Sequence, residues 1–124
     1  MRVQSVNRTL IDKMFAVCDY YILNKARRNS RHLYDIYKLY PHVIEDDNFF
    51  KLVEEVRLHR SQMDVKVAPA TGEDVDILEI VRKLCDEDFY KEDYENGTIG
   101  LISDNLSYDE IIPFYRNLME RIFQ

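Results

Sequence analysis

Apolar residues recur every three to four positions through residues 9–40, TLIDKMFAVCDYYILNKARRNSRHLYDIYKLY, with one interruption. A strand cannot use that period, so the segment is restricted to two amphipathic helices. Leu10, Met14, Val17 and Tyr21, with Ile11, Phe15, Cys18 and Ile22, make a broad apolar face on the first. Thr9 and Asp12 have the spacing of a capping box, which predicts the start of that helix at Thr9. Residues 24–29, NKARRN, break the pattern. Asn29 or Ser30 can cap a second helix whose Leu33, Ile36, Tyr37 and Tyr40 fall on one side, until Pro41 disfavours more helix. The unit is a helical hairpin with a basic turn.

The rest of the chain continues in kind. Residues 1–6, MRVQSV, read as a short extended entry. A third helix is predicted from Asp46 or Asp47 to about Asp64, turning Phe49, Phe50, Val53, Val56 and Met63 inward. Pro69 interrupts an irregular link, and a second capping box at Thr71 and Asp74 is expected to open a helix reaching Asp86, with Val75, Ile77, Leu78, Val81, Leu84 and Cys85 apolar. A short helix over residues 86–95 would end at Asn96-Gly97, two residues that tolerate the left-handed conformation common at helix C-termini. Residues 98–106 read as a packed loop. Ser107 and Glu110 form a third capping box, for a last helix burying Ile111, Ile112, Tyr115, Leu118, Met119 and Ile122. Pro113 predicts a mild kink there, or a later start. The expected fold is all-α: a single domain, residues 1–124, of five or six helices built on the hairpin of residues 1–42 and supported by residues 43–124.

Composition excludes several classes of function. With 46% hydrophobic and 32% charged residues and only three Gly and three Pro, the chain is globular rather than disordered. It has no signal-like start and no apolar run of about eighteen residues, so a soluble cytoplasmic protein without membrane contact is expected. Cys18 and Cys85 sit on apolar stripes and read as buried free thiols. His32, His42 and His59 lack ligand spacing with cysteine or each other, so no metal ligand set is assigned. The net charge of −6 is unevenly placed: residues 1–40 carry eight Lys/Arg against three Asp/Glu, and the remainder nine against twenty. Any phosphate-bearing ligand should therefore meet the first forty residues, and broad coating by nucleic acid is disfavoured.

Two segments of the hairpin carry a resemblance. Asn-Arg-Thr-Leu-Ile-Asp-Lys-Met-Phe-Ala, residues 7–16, resembles the Arg-Thr-x-x-Glu-Lys-x-x-Ala segment of the AbiEii/AbiGii toxin family. Arg-His-Leu-Tyr-Asp-Ile-Tyr-Lys-Leu, residues 31–39, resembles its Arg-Asp-x-x-Asp-hydrophobic segment. The specific match covers about a quarter of the chain; Asp12 replaces the usual Glu, and His32 stands where a first acidic residue is often found.

The resemblance implies a nucleotidyltransferase toxin of an abortive-infection toxin–antitoxin system, represented here by the helical part that follows a polymerase-beta-like catalytic domain. It also implies that Lys13 grips a nucleoside triphosphate, that Asp35 completes the site, and that magnesium binds mainly to the Asp-x-Asp that lies downstream of a Gly-Ser in the family's earlier motif, a Gly-Ser motif this sequence lacks. The chain alone is then expected to be inert, with a separate catalytic half, a tRNA or other RNA acceptor and a cognate antitoxin as further partners. A non-catalytic helical module that binds an antitoxin or RNA is the alternative.

On the residues alone, Lys13 reads as a solvated flank lysine, and Asp35 as a surface partner of Arg31 or Lys38. Arg27, Arg28 and Arg31 are either an RNA or phosphate contact or a solvated turn that complements the first helix's C-terminal dipole. Arg8 is either a nucleotide contact or an ordinary surface arginine. The tyrosines could stack on bases, although a helical core with hydroxyls at its rim is the commoner arrangement. The acidic run of residues 86–95 is either a site for a cation or a basic partner, or a solvated face. In an ideal hairpin turning near Arg27, Lys13 and Asp35 differ by about 9 Å along the helix axes, so no direct salt bridge is expected unless the helices cross steeply.

Overall fold

Helix α1, Val3–Ile22, is the element on which α2 (Arg31–Leu39), α3 (Asp47–Ser61) and α4 (Ile77–Asp86) all pack. Helices α5 (Lys91–Asn96) and α6 (Tyr108–Phe123) follow, α6 lying against α2 and α4. Three single turns of 3-10 helix, Tyr40–His42, Pro69–Thr71 and Thr98–Gly100, punctuate the links. The computed structural model describes residues 3–72 and 74–123, and no strand occurs among them. The architecture is an all-α bundle.

No Gly or Pro interrupts α1, and Leu10, Ile11, Met14, Phe15, Val17 and Cys18 are wholly buried along it. The helix begins well before Thr9, which corrects both the expected start and the extended entry at positions 3–6. Positions 1 and 2 of that expected entry lie outside the described residues. Asp12 therefore does not cap; it lies 3.8 Å from Arg8 and accepts from Arg60 at 3.4 Å.

Two helices end through a left-handed residue that is not glycine. After α1, Lys25 N–H reaches Tyr20 O and Asn24 N–H reaches Tyr21 O, with Asn24 at φ 57°. This is the paired-bond closure of a Schellman motif. After α4, Phe89 N–H bonds Leu84 O and Asp88 N–H bonds Cys85 O, with Asp88 at φ 51°. The chain turns there, so the helix expected over residues 86–95 shortens to α5. Gly97 has φ −121°, so the expected left-handed end at Asn96-Gly97 does not form.

Side-chain caps decide the remaining starts. Asp46 accepts from Phe49 N–H at 2.9 Å and opens α3 as expected. Helix α4 starts at Ile77 because Asp76 accepts from Leu78 and Glu79 N–H. Thr71, expected to cap it, is instead buried in the preceding turn, its hydroxyl on Ala68 O. At α6 the predicted box forms in both directions: Ser107 N–H donates to Glu110 Oε2 at 3.1 Å, and Glu110 N–H donates to Ser107 Oγ at 3.2 Å. Pro113 is accommodated inside α6, which starts at Tyr108 without delay. We expect Ser107→Ala to lower stability by about 1 kcal/mol, read from the shift in a urea-unfolding midpoint at unchanged slope.

One cluster of buried side chains draws on all six α-helices. Phe49, Val53 and Val56 of α3 join it as expected, but Phe50 and Met63 stay partly exposed and Leu52 takes the inward position. Cys18 and Cys85 are buried free thiols; burial pushes them up to about 12 and about 11. Tyr90, Tyr94, Tyr108 and Tyr115 are fully buried rather than set at a rim. Tyr90 donates to Val17 O and Tyr115 to Met14 O, using carbonyls of α1 as internal acceptors. The hairpin tyrosines do keep polar ends outward, with Tyr21 on Glu87, Tyr34 on Asp104 and Tyr40 on Glu45.

Candidate functional site

Lys13 and Asp35 lie 22 residues apart in sequence, one on each helix of the hairpin, and Lys13 Nζ donates to Asp35 Oδ2 at 3.0 Å. The expectation of no direct contact is thereby corrected, and the connector supplies the reason. Residues 23–30 fold back on the end of α1, so α2 begins beside Tyr20: the Tyr20 and His32 rings stack at 5.7 Å with planes 5° apart. From that level Lys13 is seven residues away and Asp35 three, a mismatch of about 6 Å, which a four-carbon lysine stem can span. Asp35 pairs with Lys13 rather than with Arg31 or Lys38.

Around this pair is a shallow depression of about 360 Å³, lined by Thr9, Lys13, Tyr34, Asp35, Lys38 and Leu39. Its floor combines two ammonium groups, one carboxylate, two hydroxyl-bearing side chains and a leucine. Lys38 Nζ and the Tyr34 hydroxyl both donate to Asp104 Oδ2, at 3.2 and 3.1 Å. That shared carboxylate raises the Lys38 ammonium and is itself held below the usual carboxylate range.

His32 does not replace the acidic residue that the motif resemblance leaves missing. It is half-buried on Tyr20; burial first, then the nearby Lys13 cation, lowers it from 6.5, so the ring is neutral at pH 7. Asp35 is thus the carboxylate its segment contributes to this depression.

The other predicted site residues lie elsewhere. Arg8 is exposed beside Asp12, and Arg31 opens α2 on the solvent side; neither lines the depression. Arg27 and Arg28 stand exposed on the connector. Arg28 takes φ 68°, and the Asp93 carboxylate of α5 accepts from Arg28 N–H at 2.8 Å, from Ser30 N–H at 3.2 Å and from the Ser30 hydroxyl. Ser30 also meets Thr98 Oγ1 at 2.7 Å, so its side chain does not cap α2. Within the acidic run of residues 86–95, Asp93 braces the basic turn and Glu87 receives Tyr21, so this stretch is more than a solvated face.

Sequence reasoning missed Lys38 and Tyr34 as lining residues. Their spacing held a signal, since Tyr34 and Lys38 are four apart and Lys38 is three beyond Asp35, which puts all three on one helix face. Asp104 carried none. Also missed was the pair between Arg60 and Asp19, whose side chain is 2% exposed and whose other oxygen accepts from Ala70 N–H at 2.8 Å. Among the described residues, no group of three or more His, Cys, Asp or Glu is arranged to hold a metal ion. No helix among them is long and apolar enough to cross a membrane.

A family model described as "Nucleotidyl transferase AbiEii toxin, Type IV TA system" matches residues 1–120, far beyond the two segments that carry the resemblance. No curated protein and no solved structure matches the chain. Because the family match spans the hairpin, the depression and the supporting helices together, the chain belongs to the AbiEii nucleotidyl transferase toxin family of type IV toxin–antitoxin systems.

Proposed function

We propose that this chain is the helical portion of an AbiEii-type nucleotidyltransferase, and that it closes a nucleotide site with Lys13 and Asp35. The observation that carries the reading is the 3.0 Å contact between them at a depression open to solvent. Nucleotidyl transfer is promoted chiefly by positioning the triphosphate and neutralising its charge. Lys13 can do both. One of its three N–H donors holds Asp35, which leaves two for phosphate oxygens, and the carboxylate keeps the long side chain in place. Asp35 would orient the lysine or an acceptor hydroxyl.

Magnesium on this reading is held by the triphosphate and by carboxylates of a separate catalytic half. The exposed Arg27, Arg28 and Arg31 would contact phosphates of an RNA acceptor, tRNA included. The family also suggests an antitoxin partner. The working compartment on this reading is the cytoplasm.

The test is calorimetric titration of each nucleoside triphosphate with magnesium into the full chain and into Lys13→Ala. Loss of one charge-assisted contact should weaken binding by about tenfold or more. Equal affinity in the two proteins would reject the reading. A second reading, a non-catalytic module that docks an antitoxin, draws on the exposed Ile44, Leu58, Val65 and Val67. It predicts no nucleotide binding by either protein.

A further inference from the structure

Lys38 has no assigned role in the reading above, yet it enters the same depression as Lys13. Its side chain is about half exposed and comes from the neighbouring helix. We infer that Lys38 is the second phosphate-binding cation of this site, held for that purpose by Asp104, and that the pair selects a linear polyphosphate tail over a single phosphate. The inference rests on the nucleotide reading of Lys13 and Asp35, and it names the part of the nucleotide that the site recognises.

Three features of the geometry support it. First, the residues lining the depression carry two cations and one carboxylate; Asp104, which holds Lys38, stands outside that lining. With Asp104 counted the local charges balance, so what favours an anion is that both ammonium groups line the depression while one of the two carboxylates stands behind Lys38. Second, each ammonium spends one donor on its carboxylate and retains two, so both lysines can accept a phosphate without breaking their ion pairs. Third, Tyr34 Oη donates to the same Asp104 oxygen as Lys38, which fixes the position of that oxygen and so the direction of the lysine stem. In this proposal an orthophosphate engages chiefly one ammonium, whereas the longer chain of phosphates engages the α1 and α2 lysines together. Asp104 is a positioning residue in this scheme because it acts through Lys38.

The experiment titrates sodium tripolyphosphate and, separately, orthophosphate into the full chain, with no nucleoside present. Wild type should bind tripolyphosphate more tightly than orthophosphate by about tenfold. Lys38→Ala should weaken tripolyphosphate binding by about tenfold and orthophosphate binding by a smaller factor, so that most of that preference is lost. Lys13→Ala should weaken both anions. Asp104→Ala should reduce the tripolyphosphate preference, and Asp104→Glu should restore it, which a merely structural aspartate would not do. The substituted side chains are partly exposed, and circular dichroism of each variant verifies the helical fold. If Lys38→Ala keeps the wild-type preference while Lys13→Ala loses binding, the inference is wrong and the nucleotide reading stands. If wild type binds neither anion, or Lys13→Ala binds both as wild type does, the nucleotide reading fails and this inference fails with it.

Discussion

Arg60→Ala should destabilise the fold by about 3–5 kcal/mol at neutral pH, because it strands the Asp19 carboxylate inside the bundle. Asp19 projects from α1 with a side chain 2% exposed, and its two oxygens are taken by the Arg60 guanidinium and Ala70 N–H. Together these contacts tie α1 to the end of α3 and to the turn that precedes α4. The pair is not a large net source of stability. Burial raises the Asp19 carboxyl above 3.8 even though Ala70 N–H and Arg60 both oppose the rise.

The sign follows from that direction. A carboxyl whose folded-state pKa lies above its unfolded value favours folding fully when pH is below the unfolded value, and this contribution is lost as pH rises through the folded value. Without Arg60 the folded value climbs further. The deficit of the variant should therefore be greatest at pH 7 and above, and should shrink as acid approaches the unfolded value of about 4. Urea unfolding at several pH values measures it. A deficit below about 1 kcal/mol, or one independent of pH, would show that Asp19 is not held as a buried charge. Glu79→Ala is the control: it removes the exposed i,i+4 pair with Lys83 and should leave stability unchanged within error.

Asp93→Ala should lower stability by about 2–3 kcal/mol, and its damage should concentrate in the connector. The carboxylate receives Arg28 N–H, Ser30 N–H and the Ser30 hydroxyl, so truncation leaves two amides without their acceptor and the hydroxyl with Thr98 alone. Arg28 sits at φ 68°, a conformation a residue with a Cβ adopts only when its surroundings hold it there. Hydrogen exchange provides the local readout: amides of residues 28 and 30 should lose protection in the variant before those of α1 do. The consequence reaches the site, because the same connector sets where α2 begins relative to α1 and hence whether Asp35 meets Lys13. Uniform exchange across the hairpin in wild type and variant would mean that Asp93 does not brace it.

These two predictions come from contacts that no local pattern announces. The hairpin itself was readable, because its helices repeat apolar residues at the period of a helix and Pro41 marks their end. The caps at Asp46 and Ser107 were readable for the same kind of reason: donor and acceptor lie within one turn. The Thr9 and Thr71 boxes have the same spacing and do not form, since α1 continues through the first and the second is drawn into the core. The left-handed positions went to Asn24, Arg28 and Asp88, while Gly97 stayed at negative φ. Which residue pays the modest strain of positive φ depends on where the chain must turn to pack.

What the sequence by itself determined is the all-α class, most helix-forming stretches, the buried stripes and the two segments that carry the family resemblance. The class, the helices and the stripes rest on interactions between residues three or four apart, where the helix supplies the geometry in advance. Only the tertiary structure decided which donor each carboxylate meets: Asp35 the Lys13 ammonium across 22 residues, Asp19 the Arg60 guanidinium across 41, and Asp93 the Ser30 amide across 63. Over such separations the partner is chosen by the path of the connecting chain. A short-range electrostatic contact therefore cannot be assigned until packing has fixed that path.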